Sequence, residues 1–157
     1  MQRLILLAFL LLTVSLAAQD AQPPATPAGE RIESYRQRQA LAERSIANGI
    51  EFRNVGPTVM SGRVADIEVH PDDPTIFYVA YASGGLWKTE NNGASFTPLF
   101  DDEIVMTIGD IAVDWDNNVL WVGTGEVNAS RSSYAGVGLY KSADEGQTWQ
   151  HLGLPET

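Results

Sequence analysis

Between residues 64 and 154 the chain writes one order of short segments twice, and that repetition limits what it can fold into more than any other feature. Gly109-Asp110-Ile111-Ala112-Val113 matches Ala65-Asp66-Ile67-Glu68-Val69. Val119-Leu120-Trp121-Val122-Gly123 matches Ile76-Phe77-Tyr78-Val79-Ala80, and Gly138-Leu139-Tyr140-Lys141-Ser142 matches Gly85-Leu86-Trp87-Lys88-Thr89. The offset opens at 44 residues, falls to 43 and ends at 53. The second unit therefore carries about ten extra residues, around Glu126 to Gly136, between its second and third strands.

Each segment reads as a strand. Val64 to Val69 alternates polar and apolar, and Pro71-Asp72-Asp73-Pro74 turns the chain. Ile76 to Tyr81 is aromatic and β-branched, as a buried strand should be. Gly84-Gly85 breaks it and Leu86 to Thr89 begins the next. Ser95 to Leu99 makes a fourth, where Pro98 lacks an N–H and so predicts a sheet edge. Four short strands recurring at this period are the pattern of propeller blades. The expected fold class is all-β: two four-stranded antiparallel β-propeller blades, spanning residues 50–104 and 105–157. A blade cannot bury both faces of its sheet alone, so stacking on neighbours supplies the core. Propellers close with typically four to eight blades. Two blades are thus expected to be an incomplete propeller, a piece of a larger domain whose partners are further blades.

Residues before the repeat read differently. Arg3 precedes the apolar run Leu4 to Leu12, and small residues follow at Ser15, Ala17 and Ala18. Charge, short apolar run and small-residue exit are the three parts of a secretory signal peptide over residues 1–18, and cleavage after Ala17 or Ala21 also fits. A membrane anchor is the alternative, but the stretch is shorter than the ~20 residues of a spanning helix and no basic cluster follows. The expected location is secreted or periplasmic, in an exported protein of bacterial type with no membrane span after cleavage. Residues 19–29 form a flexible Pro/Ala linker. Residues 30–49 are rich in helix formers without a strong apolar stripe, which predicts a short helical lead-in ending at Asn48-Gly49.

Composition excludes several functions. There is no cysteine, so disulfides, thiolate metal sites and cysteine nucleophiles are out. Residues 61–157 hold fifteen acids against Arg63, Lys88, Arg131 and Lys141, within a net charge of -10. That surface repels phosphate backbones, so nucleic acid is not an expected partner.

The most specific local signal closes each third strand. Ser142-Ala143-Asp144-Glu145-Gly146-Gln147-Thr148-Trp149 reads S-x-D-x-G-x-T-W, and Thr89-Glu90-Asn91-Asn92-Gly93-Ala94-Ser95-Phe96 is a relaxed copy. Asp144 or Asn91 can fold its side-chain oxygen onto downstream amides. Gly146 or Gly93 permits a positive φ. Trp149 or Phe96 then packs a large ring under the turn. A metal site at Asp144 and Glu145 is the alternative, but two adjacent carboxylates make too few ligands for calcium. This pattern resembles the Asp-box, or BNR repeat, of secreted propellers. The resemblance implies a structural role for Thr89, Asn91, Gly93, Ser95, Phe96, Ser142, Asp144, Gly146, Thr148 and Trp149, on the blade rim. More broadly, residues 56–157 resemble the start of a sortilin-N-terminal-type propeller from bacterial proteins often labelled BNR-repeat glycosyl hydrolases. The carriers are Gly56-Pro57, Ser61-Gly62-Arg63-Val64, His70-Pro71, Gly84-Gly85-Leu86-Trp87-Lys88 and Trp121-Val122-Gly123-Thr124-Gly125-Glu126.

Three activities follow from that resemblance. A sialidase needs an arginine triad, and residues 61–157 have only Arg63 and Arg131. A xyloglucan-hydrolysing propeller needs two carboxylates across a cleft, one of them in a Thr-Asp-Ile-Gly-Gly-like segment of the first blade. The matching stretch here is Tyr81-Ala82-Ser83-Gly84-Gly85, where Ala82 replaces the aspartate. Asp66 and Asp110 occupy matching strand positions, which favours a repeated structural role. Recognition needs neither group, and loops that interrupt a repeat are where ligand contacts tend to lie. The sequence therefore points to a recognition or scaffold module for a protein or glycan ligand. Arg63, Tyr81, Ser83, Glu126, Arg131 and Tyr134 are its candidate contacts, and it assigns no catalytic residue, metal or cofactor. The alternative is part of a propeller glycoside hydrolase whose carboxylates lie in other blades. N-terminal sequencing of exported protein is expected to begin between Ala18 and Gln22; an intact Met1 on the mature protein would refute export with cleavage.

Overall fold

The computed structural model describes residues 26–50, 62–127 and 133–156. The expected signal peptide, most of the Pro/Ala linker, Gly56-Pro57 and Arg131 lie outside the described residues. Among the described residues one helix, α1 (Ala28–Glu43), precedes two four-stranded sheets. The first sheet contains β1 (Val64–Val69), β2 (Phe77–Tyr81), β3 (Gly85–Thr89) and β4 (Thr97–Pro98). The second contains β5 (Ile108–Asp114), β6 (Val119–Thr124), β7 (Leu139–Ser142) and β8 (Gln150–Gly153). Both are antiparallel meanders with strands in chain order. The fold is that of two propeller blades side by side.

The repeat extends to irregularities. Register shifts between Val64 and Asp66 in the first sheet, and between Ile108 and Asp110 in the second. A bulge bends its strand and raises local twist, so both first strands curve at one point. Pro98 pairs with Trp87 on an edge strand, as its missing N–H requires. The fourth strand is shorter than expected, because Ser95 and Phe96 belong to the preceding turn.

Neither sheet has a core of its own. Tyr78, Ala80 and Leu86 of the first sheet and Ile108, Ile111, Leu120, Val122 and Tyr140 of the second form one buried cluster with Phe100 and Val137. Phe100, from the connector between sheets, meets Tyr140 edge-on at 5.2 Å and Trp149 at 5.0 Å. Alternation in β6 sends Leu120, Val122 and Thr124 inward and leaves Trp121 half-buried.

Polar links cross the same seam. The indole N–H of Trp149 donates to the Leu99 carbonyl at 2.8 Å. Lys88 Nζ reaches Glu145 of the second sheet at 2.6 Å and Glu90 of its own at 2.8 Å. Burial opposes the Lys88 charge, but its bonds to Glu145 and Glu90 outweigh that and hold its pKa above the usual lysine value. Trp115 closes the seam with ring contacts to Tyr78 at 5.2 Å and His70 at 4.9 Å.

Helix α1 ends at Glu43, earlier than the expected Asn48-Gly49. Arg44 Nε donates to Ala40 O and Asn48 Nδ2 to Glu43 O, both at 2.9 Å, and turns replace helix from residue 44. The helix buries only Ala28 and is tied down by polar contacts. Tyr35 Oη donates to Asp102 O at 2.8 Å, and Arg31 Nη1 to Ala135 O at 3.2 Å.

Trp149→Phe keeps a ring on Phe100 but loses the bond to Leu99, and should lower stability by about 1 kcal/mol. Trp149→Ala also empties the seam and should lower it by about 3 kcal/mol. Urea unfolding followed by circular dichroism checks both values and their order.

Candidate functional site

The two turn motifs have the same hydrogen bonding. In the second, Asp144 Oδ1 accepts from Thr148 N at 2.9 Å and Oδ2 from Thr148 Oγ1 at 2.6 Å. Ser142 Oγ donates to Asp144 Oδ1 at 2.7 Å and accepts from Gly146 N at 2.8 Å. In the first, Asn91 Oδ1 accepts from Ser95 N at 2.9 Å, Asn91 Nδ2 donates to Ser95 Oγ at 2.8 Å, and Thr89 Oγ1 accepts from Gly93 N at 2.9 Å. Both glycines take positive φ, and so do the preceding residues, Asn92 and Glu145 at 56° and 59°. That second left-handed residue is not marked by any residue type in the pattern. At Gly146 a Cβ would also stand 2.9 Å from Leu99 Cδ1, so this turn is pressed against the first sheet. Trp149 lies near Gly146, as expected, and also crosses the seam to Phe100.

Bonds from Thr148 Oγ1, Thr148 N and Ser142 Oγ hold the Asp144 pKa down to about 2. A carboxyl depressed on folding adds stability above its unfolded pKa, near 3.8, which is lost as pH falls through about 2. The first turn makes the same network with an amide. Asp144→Asn is therefore expected to fold normally at pH 7 and to remove that part of the acid destabilisation between pH 4 and 2. Asp144→Ala should be destabilised at neutral pH. Thermal unfolding of the three proteins across pH 2–7 measures both effects.

These turns join β3 to β4 and β7 to β8, at the sheet end opposite the β2–β3 and β6–β7 connections. The candidate contact residues lie at the latter end. Arg63 sits just before β1, Tyr81 ends β2, and Ser83 follows in the turn. Ala82 N donates to Arg63 O at 2.9 Å, which places Arg63 beside that turn. Arg63 Nη1 reaches Glu126 Oε1 at 3.4 Å, across 63 residues of sequence. The Glu126 side chain is 4% exposed and that of Arg63 40%. Glu126 Oε2 accepts from Tyr134 N at 3.1 Å, and Glu126 N donates to Tyr134 O at 3.0 Å. Tyr134 itself is exposed. A cavity of about 410 Å³ adjoins it, bounded by Thr124, Gly125, Glu126, Val127, Ser133, Tyr134 and Ala135.

Thr124, which the sequence marks only as part of the Trp121 to Glu126 segment, has a structural role here. Its Oγ1 donates to Gly138 O at 2.6 Å and accepts from Val137 N and Gly138 N, both at 2.9 Å. One buried hydroxyl thus ties both ends of the inserted loop. The signal for that role was a polar residue ending an otherwise apolar strand.

Ala82, which follows β2, is buried and brings no carboxylate to the β2–β3 turn. Other acids have structural surroundings. Asp66 Oδ2 accepts from Ile111 N of the second sheet at 3.3 Å, and Asp110 Oδ1 from the same amide at 3.1 Å. A hydrogen bond with Asp66, helped by burial, raises the Asp110 pKa. Asp101 and Glu103, in the connector from β4 to β5, are raised by burial and by Asp102. His70 Nδ1 accepts from Asp72 N and Asp73 N, and His151 Nε2 bonds Val137 O. Among the described residues no group of three or more His, Asp or Glu side chains is placed to hold a metal ion, and no helix is long and apolar enough to cross a membrane.

No family model and no curated protein matches the chain. Among solved structures it is similar to a GH74 enzyme of Niastella koreensis, with 21% identity and a TM-score of 0.44 over 57% of this chain and 14% of that one. An ancestral GH74 enzyme gives 22% and 0.46 over 60% and 13%. The GH74 xyloglucanase of Xanthomonas campestris gives 18% and 0.44 over 57% and 15%. The chain therefore spans about one seventh of each of those proteins.

Proposed function

We propose that the chain is part of an exported Asp-box propeller whose loop end recognises a glycan or protein ligand. The observation that carries this reading is the commitment of Glu126. Its carboxylate is 4% exposed and each of its oxygens already has a partner, Arg63 on one and the Tyr134 amide on the other, which suits a positioning role better than that of a general base open to substrate. What the loop end offers a ligand is the exposed Tyr134 ring and the partly exposed Arg63 guanidinium, held in place by Glu126. A tyrosine ring and a guanidinium suit sugar rings with polar substituents or peptide carbonyls equally well. Ser83, Tyr81 and Arg131 extend the contact set. The turn motifs act as structural clasps at the opposite end, and residues 1–18 act as the export signal.

Glycoside hydrolysis by a longer propeller is the second reading, and one observation favours it. Burial raises the pKa of Asp101 and Glu103 in the same connector, and a raised carboxyl is what a general acid requires. The opposing carboxylate would then come from other blades.

Tyr134→Ala is expected to weaken binding of the chain to its best glycan on a cell-wall oligosaccharide array about tenfold, without moving its melting temperature. Binding indifferent to both Tyr134→Ala and Arg63→Met would sink the recognition reading. Release of reducing ends that Glu103→Gln or Asp101→Asn abolishes would favour hydrolysis.

A further inference from the structure

Three of the contacts across the seam between the two sheets have their receiving halves in the first sheet. Lys88 takes Glu145, the Leu99 carbonyl takes the Trp149 indole N–H, and the Tyr78 ring takes Trp115. The second sheet carries matching groups for these three contacts at the same places in the repeat, though Gly153 stands where the first sheet has Phe100. Lys141 matches Lys88, Leu152 matches Leu99, and Trp121 matches Tyr78. Lys141 lies opposite Trp121 in the β6–β7 register, 5.7 Å from its ring, just as Lys88 lies opposite Tyr78 at 5.8 Å.

The difference is occupancy. The Lys88 side chain is 14% exposed and Tyr78 1%. Among the described residues Lys141 has no ion pair, Trp121 is only half-buried, and Leu152 is 43% exposed. A half-buried cation over an aromatic ring, beside an exposed leucine, is a surface that a carboxylate and an apolar ring would complete.

We infer that the face of the second sheet bearing Trp121 and Lys141 receives a third sheet of the same repeat, with a carboxylate directly before its turn glycine and a tryptophan three residues after that glycine. The inference rests on the propeller reading and adds the chemistry by which one blade selects the next. It also separates that occupant from a second copy of this chain docking through its first sheet. Where the second sheet offers Glu145, Trp149 and Trp115, the first has Asn92, Phe96 and Pro71. It therefore brings neither the carboxylate nor the indole N–H, and no ring for Trp121.

The test extends the full chain after Thr157 with a copy of residues 105–157, which keeps the spacing from Leu152 to the appended first strand equal to that from Leu99 to Ile108. A second extension carries Trp115→Pro, Glu145→Asn and Trp149→Phe in the appended copy, the residues of the first sheet. The first extension should be monomeric with a higher urea midpoint than the parent chain, and the second should gain little. Lys141→Met in the original sheet should lower the folding constant of the first extension roughly threefold to tenfold and leave the second unchanged. Equal gains from both extensions, or indifference to Lys141→Met, overturn the inference while leaving the propeller reading intact. No gain from either overturns both. Dimerisation of the parent chain that Lys141→Met abolishes makes a second copy the occupant and overturns the inference.

Discussion

The seam between the two sheets is the contact on which everything else rests. A four-stranded sheet with apolar groups on both faces cannot be stable in water alone, and each sheet here uses the other as its solvent-excluding partner. Phe100 is central to that arrangement. It is fully buried although it belongs to a connector, and it packs between Tyr140 and Trp149 while Leu99 beside it accepts the indole N–H. Burying a phenylalanine-sized side chain is worth about 1.5–3 kcal/mol, more than a neutral hydrogen bond such as that from Trp149 to Leu99. The polar links set register, and the apolar groups supply the driving force.

The turn motifs contribute to this seam as well as to their own hairpins. Glu145 sits in the left-handed region, which costs a residue with a Cβ about 1–2 kcal/mol. That cost is offset locally by the bonds from Ser142, Thr148 and Gly146, and across the seam by the pair with Lys88. In the first sheet Asn92 occupies the same conformation, which asparagine tolerates better, and carries no charge to a neighbour. The difference between the turns lies in what they present to an adjacent sheet.

At the loop end the same logic makes the surface. Thr124 and Glu126 are buried polar groups that bond the residues around the inserted loop, Thr124 at Val137 and Gly138 and Glu126 at Tyr134, while Glu126 also reaches back to Arg63. The candidate contacts divide accordingly. Glu126 positions, Arg63 and Tyr134 face solvent, and Tyr81 and Ser83 adjoin Arg63 through β2 and its turn.

Strand positions, the edge role of Pro98 and the turn network around Asp144 and Asn91 were legible in the sequence because each depends on neighbours a few residues away. Alternation fixes which side chains share a face, and a short acceptor with a following glycine closes a turn whatever lies beyond it. Asn48-Gly49 looks like a helix stop, but α1 ends at Glu43 and a run of turns, with side-chain bonds from Arg44 and Asn48 to Ala40 O and Glu43 O, covers the residues between. The pairing of Arg63 with Glu126, of Lys88 with Glu145, and the double duty of Thr124 were decided only by tertiary structure. Those partners are separated by 63, 57 and 14 residues, and which of them meet depends on how two twisted sheets stack. Local periodicity carries no information about that stacking, which brings Phe100, Tyr140 and Trp149 together from separate parts of the chain.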